Sequence, residues 1–190
     1  MTTRMADALR IEQRGADYFD GYQLRFQRDL IAIHARNEHV GAPNVAYLES
    51  PTGTGKTDIM VMVGERENAD RRARGESPAL NLILVGRNNL AEQHRATIAA
   101  LDGAGYADAA HWAVMTWQKY RSWQNRHARG ERPIAAMRAA DPRLFKPGHV
   151  FNDECHLGGS GKVVKAIREI RARVGSCRWT NVSATPWGVN

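Results

Sequence analysis

The chain has 190 residues, enough for one α/β domain with a real core and short for two. Its 43% hydrophobic and 25% charged residues are those of a water-soluble fold, and no apolar run approaches the roughly 18 residues of a membrane span. A net charge of +7 favours an anionic partner, above all nucleic acid, while Cys155 and Cys177 alone build neither a disulfide framework nor a zinc site.

Without the apolar core of a signal peptide, the expected setting is reducing and cytoplasmic. Residues 1–20 are polar and rich in Arg and Asp, an exposed helix or tail. The domain proper is expected over 21–190. It opens with an amphipathic helix from Tyr22 to Ala35, ended by Gly41-Ala42-Pro43-Asn44. Val45-Ala46-Tyr47-Leu48 reads as a buried strand and Asp58 to Gly64 as the helix after it. The charged stretch from Glu65 to Pro78 reads as a helix end and surface loop.

Leu80 to Val85 is the second strand. Asn88 or Asn89 is placed to cap a helix running to about Leu101. His111 to Met115 is the third strand, followed by a helix from Thr116 to His127 and one short helix at Ile134 to Ala140. The fourth strand, Val150-Phe151-Asn152, runs into Asp153-Glu154-Cys155-His156. Lys162 to Val174 puts Val163, Ile167, Ile170 and Val174 on one helical face, and Trp179 to Ser183 is the last strand. Strands alternating with helices predict a mostly parallel sheet covered on both faces.

Between the first strand and its helix lies Ser50-Pro51-Thr52-Gly53-Thr54-Gly55-Lys56-Thr57. Strand, Gly-rich turn, Lys-Thr and helix is the layout of a phosphate-binding P-loop, although Ser50 stands where the common pattern has Gly. The glycines let successive N–H groups point inward, and the helix adds the positive end of its dipole. Lys56 is expected to reach the β- and γ-phosphates and Thr57 to ligate Mg²⁺. The bland alternative is an ordinary Gly/Thr-rich loop.

The second strong signal is the acidic pair after the fourth strand, expected beside the P-loop strand. Asp153 is the candidate metal carboxylate and Glu154 the base for the attacking water. A helix N-cap acid with a chance neighbour is the simpler alternative.

Asp153-Glu154-Cys155-His156 is similar to motif II of the superfamily 2 helicases, the DEAD/DEAH-box group, and Ser50 to Thr57 resembles their motif I. Ser183-Ala184-Thr185-Pro186 looks like motif III, which in that family links hydrolysis to nucleic-acid contacts. Val85 to Gln93 is similar to motif Ia through Arg87, Leu90 and Gln93, with Asn88 inside it. Val114 to Gln118 resembles the segment whose Thr, here Thr116, touches the strand backbone. Leu24-Arg25-Phe26-Gln27 is a poorer match to the adenine-reading segment, its Arg-to-Gln spacing differing by one residue. Asn152 before the acidic pair, with Ser-Ala-Thr-Pro, leans toward the branch that includes type III restriction motors. The ordered segments cover about Leu24 to Pro186.

The resemblance implies a RecA-like P-loop NTPase domain, the first lobe of an ATP-dependent helicase or translocase using ATP and Mg²⁺. It implies nucleotide contacts from Gln27, Pro51, Thr52, Gly53, Thr54, Gly55, Lys56 and Thr57, and catalytic roles for Lys56, Asp153, Glu154 and His156. It implies coupling through Ser183, Ala184 and Thr185, and nucleic-acid contacts from Arg87, Asn88 and Thr116; DNA is the favoured partner over RNA, though the sequence does not decide between them. Motifs IV to VI lie on a second lobe in that family, so the site is expected to be completed by the same or another chain. The competing reading is a non-enzymatic nucleic-acid- or protein-binding module with a regulatory or vestigial ATP site.

Residues 119–146 carry eight Lys and Arg against Glu131 and Asp141. Arg126 and Arg129 are the candidate phosphate contacts there. Trp117, Tyr120 and Trp123 are interleaved, either as stacking platforms or, at their helical spacing, as core. Gly159-Ser160-Gly161-Lys162 echoes a phosphate loop but follows no strand, and reads as a turn and helix start. Arg168, Arg171 and Arg173 read as solvent-facing, and the histidines other than His156 as ordinary surface or core residues.

Overall fold

The structure, a computed structural model, describes residues 45–49, 55–130, 141–153, 161–175 and 177–184. The helices expected at Tyr22–Ala35 and Ile134–Ala140 lie outside them, as do the tail and Gln27. Five strands are present: β1 (Val45–Glu49), β2 (Asn81–Val85), β3 (Trp112–Thr116), β4 (His149–Asn152) and β5 (Arg178–Ser183). Four helices alternate with them: α1 (Lys56–Ala73), α2 (Asn88–Gly103), α3 (Trp117–Ala128) and α4 (Gly161–Val174).

The strands form one sheet in the order β1-β5-β4-β2-β3, and every pairing is parallel. The chain therefore steps outward from β1 to β2 to β3, then returns through β4 to β5. Same-handed crossovers require helices on opposite faces for the two directions of travel. The cores obey this. Leu48, Ile83, Val85, Val114, Phe151 and Val182 pack with α1 and α2, whereas Leu82, Leu84, Val150 and Trp179 pack with Tyr120, Trp123, Ile170 and Val174. With both faces covered, β2 is buried at all five positions, which is why it reads as a continuous apolar run.

The expected position of the acidic pair is corrected by this order. β4 is not beside the P-loop strand; β5 lies between them, pairing with β1 from Val45↔Trp179 to Glu49↔Ser183.

α1 also runs further than its apolar pattern, to Ala73 rather than Gly64. Its inner face continues in polar residues that are individually answered. Glu65 accepts from the Trp112 indole at 2.6 Å, and Asn68 bonds Ala79 in both directions at 3.1 and 2.8 Å. Hydrophobic periodicity is blind to a stripe held by hydrogen bonds. The helix ends where Gly75 takes φ 76°, its N–H reaching Arg72 O while Glu76 N reaches Arg71 O. Gly64 has a different reason. A Cβ there would come within 2.6 Å of the Trp112 ring, so the glycine lets α1 lie close on the sheet.

On the other face, Tyr120 and Trp123 are fully and nearly fully buried, and the Tyr120 hydroxyl donates to Leu144 O at 2.6 Å. Burial holds that phenol above its ordinary range. These rings are core, not stacking platforms. Trp117 packs half-buried against the same cluster.

Candidate functional site

Because all strands are parallel, their carboxyl ends share one edge, the edge where α/β sheets bind ligands. Lys56 and Thr57 follow β1 there, Arg87 and Asn88 follow β2, Thr116 ends β3, Asp153 follows β4, and Ser183 ends β5. The segments that the sequence separates are thus gathered in one place. Pro51, Thr52, Gly53, Thr54, Glu154, His156 and Thr185 lie outside the described residues.

Gly55 enters α1 with φ 75°, a left-handed conformation suited to glycine, and Ile59 N closes the first turn on its carbonyl at 3.0 Å. Thr57 comes next but one. Its Oγ1 lies 3.1 Å from His94 Nδ1, and His94 Nε2 lies 2.8 Å from Asp153 Oδ2. His94 is 5% exposed and Asp153 7% exposed, so this bridge is shielded from water. Asp153 is anchored from behind by its own N–H to Leu84 O at 2.9 Å. Its second oxygen, Oδ1, is buried with no hydrogen-bond partner among the described residues.

A buried carboxylate oxygen without a donor is costly unless something else answers it. Mg²⁺ fits that oxygen and the Thr57 hydroxyl. It is held by one or two carboxylates with phosphate and water oxygens, not by an all-protein cage. Among the described residues no group of three or more His, Cys, Asp or Glu could hold a metal.

Asp58, one residue beyond Thr57, is also buried. Desolvation pushes its carboxyl up to about 6, against smaller downward effects of its own backbone hydrogen bond and of His94.

His94 is a core residue, within the sequence reading of surface or core, but polar partners at both of its ring nitrogens are outside that reading. A signal was available. The buried side of α2 is Ala91, His94, Thr97, Ile98 and Leu101, and a histidine on that stripe needs partners inside the fold. The cap of α2 is corrected. Arg87 occupies the N-cap with extended backbone and no side-chain bond, leaving Arg87, Asn88 and Asn89 exposed. Thr116 is buried and accepts from Lys119 N at 3.3 Å as the N-cap of α3. Ser183 is buried and Ala184 half-buried.

Arg126 is half-buried and Arg129 exposed near the end of α3. Other members of the basic segment are used internally. Arg121 pairs with Glu169 of α4 at 2.7 Å, and Arg143 with Asp141 at 2.5 Å. Arg168, Arg171 and Arg173 are exposed on α4.

Two solved structures share this architecture. The UvsW helicase from bacteriophage T4 matches with a TM-score of 0.52 at 18% identity, over 85% of this chain and 52% of that one. The Hef helicase domain of Pyrococcus furiosus matches with a TM-score of 0.55 at 15% identity, over 87% of this chain and 34% of that one. The chain shares with them a RecA-like α/β fold. It spans about half of the first structure and a third of the second. No family model and no curated protein matches the sequence. Among the described residues no helix is long and apolar enough to cross a membrane.

Proposed function

We propose that this chain is the ATP-binding lobe of a nucleic-acid motor of the superfamily 2 helicase type, coupling ATP hydrolysis to movement on DNA or RNA. The observation that carries the proposal is the convergence of Thr57 and Asp153, 96 residues apart in the sequence, on one buried histidine, with Asp153 Oδ1 lacking a partner among the described residues. Lys56 at the first position of α1 supports the β- and γ-phosphates, as expected from the P-loop pattern. Thr57 and Asp153 hold Mg²⁺, which when bound neutralises charge on the phosphate oxygens. Glu154 takes the proton of the attacking water. The exposed Arg87, Asn88 and Lys119 line the same edge and offer contacts to a phosphate backbone.

Ser183 ends the strand that separates the P-loop strand from β4, and Ala184 and Thr185 come next in sequence, which suits a coupling role. A second lobe, on the same or another chain, supplies the remaining catalytic groups. An arginine finger is worth about 10³ to 10⁵ in rate in P-loop enzymes, so the 190 residues alone bind ATP with Mg²⁺ and turn it over very slowly.

The test is ATPase activity of the purified chain, with and without a separately produced second lobe and single-stranded DNA. Turnover that appears only with all components supports the motor. Brisk turnover by the chain alone, or none in the reconstituted mixture, sinks it. The latter would return the chain to a binding module with a regulatory nucleotide site.

A further inference from the structure

His94 does more than fill the core of α2. Its two ring nitrogens reach side chains of two other elements, Thr57 at the start of α1 and Asp153 at the end of β4. With the proton on Nε2, the ring donates to the Asp153 carboxylate, and Nδ1 accepts the Thr57 hydroxyl proton. That arrangement has a directional consequence at both partners. Thr57 turns its proton toward the ring, leaving its oxygen lone pairs on the other side. Asp153 spends Oδ2 on the ring, leaving Oδ1 as the oxygen without a partner among the described residues.

We infer that His94 is a positioning residue for the metal site, orienting Thr57 Oγ1 and Asp153 Oδ1 together toward Mg²⁺ while lying outside its coordination shell. The inference rests on the nucleotide-site reading above. A ring that holds a ligand by its remaining lone pair or oxygen typically contributes about 10- to 100-fold in metal affinity. The position of His94 in the fold adds a further consequence. It sits on α2, and α2 begins beside the exposed Arg87 and Asn88. The helix that offers the phosphate-backbone contacts is therefore hydrogen-bonded to both metal ligands, with nothing in between. A shift of α2 on binding a strand would be felt at Thr57 and Asp153 directly.

The experiment measures binding of fluorescent N-methylanthraniloyl-ADP to the 190-residue chain, titrated with Mg²⁺ and repeated in EDTA. His94→Leu should raise the Mg²⁺ concentration needed for half-maximal enhancement by about 10- to 100-fold, with affinity in EDTA unchanged. His94→Gln, whose amide can still donate to Asp153, should lose less, and it serves as the second variant should the leucine chain fail to fold.

Unchanged Mg²⁺ dependence in both variants overturns the inference. So does an equal loss with and without metal, which would make His94 a packing residue only. Tighter Mg²⁺ binding in His94→Leu also overturns it, because the ring would then be competing with the metal. A wild-type chain that binds no nucleotide in either condition instead overturns the nucleotide site itself, and this inference with it.

Discussion

Strand β4 has a histidine-centred polar cluster at each end, and the two are built differently. At its amino end His149 is 1% exposed, with Nδ1 3.0 Å from both Glu67 oxygens and Nε2 2.7 Å from Thr180 Oγ1. Arg178 closes the cluster by pairing with Glu67, and the His149 ring stacks on Phe151 at 3.9 Å. Both ring nitrogens of His149 are answered from within the fold. At the carboxyl end His94 joins Thr57 and Asp153 in a similar chain of bonds, yet Asp153 Oδ1 has no partner among the described residues. A closed network fixes structure, whereas a buried network with one open acceptor is arranged for something that binds. On the function proposed above, the amino edge of this sheet serves the fold and the carboxyl edge serves a ligand.

That contrast breaks most sharply at Lys56. Lys56→Ala should abolish nucleotide binding, read by fluorescent ADP titration, while the chain still unfolds cooperatively in urea. The opposite pattern is expected at Glu67. Glu67→Ala leaves His149 and Arg178 facing each other in a shielded site and should cost about 3–5 kcal/mol of stability. Nucleotide affinity of the folded chain should not change. If Glu67→Ala altered affinity, or Lys56→Ala unfolded the chain, the division between the two edges would fail.

Asp58 sharpens the same comparison through pH. Its folded pKa of about 6 lies above the usual carboxylate value of 3.8, so the fold disfavours the charged form, mainly through burial. Stability associated with the neutral carboxyl is complete below pH 4 and is lost as pH rises through about 6. The loss is at most about 3 kcal/mol. Asp58→Asn should remove it. Relative to wild type, the variant should gain stability between pH 4 and 6.5 in denaturant titrations and stay ahead at pH 7. A less stable Asp58→Asn at pH 7 would mean that the ionised carboxylate is bonded and favoured.

How much of this was legible beforehand depended on the range of the interaction. The strands announced themselves as short apolar runs closed by turn residues. Their alternation with helices was enough for a parallel sheet with two covered faces. The P-loop and acidic-pair readings can be made from sequence because their chemistry needs neighbouring residues, although Pro51 to Thr54 and Glu154 lie outside the described residues. The length of α1 was not, since Glu65 and Asn68 hold its later turns through bonds to Trp112 and Ala79, distant in sequence. Nor was the insertion of β5 between β1 and β4, because local patterning carries no strand order. The polar partners of His94 were missed for the same reason: Thr57 and Asp153 lie 37 and 59 residues away.

The smallest expected effect concerns α3, where the same helix shows both kinds of surface. Tyr120 and Trp123 point into the core, so the aromatic half of the basic segment cannot stack bases while the fold is intact. Arg121 and Arg143 are committed to Glu169 and Asp141, while Arg126 is half-buried and Arg129 exposed near the end of α3, where each is a candidate strand contact. If each contacts one phosphate, replacing either with Gln should weaken binding of an oligothymidylate uniformly and reduce the slope of log K against log salt by about one unit. Arg121→Gln is the control. Losing its pair with Glu169 should trim stability by about 1 kcal/mol or less, without changing the salt slope. A slope that follows Arg121 instead would make the inter-helix pair the nucleic-acid contact. A slope indifferent to all three would leave the outer face of α3 as solvated charge, and the phosphate contacts to Arg87 and Lys119 at the carboxyl edge.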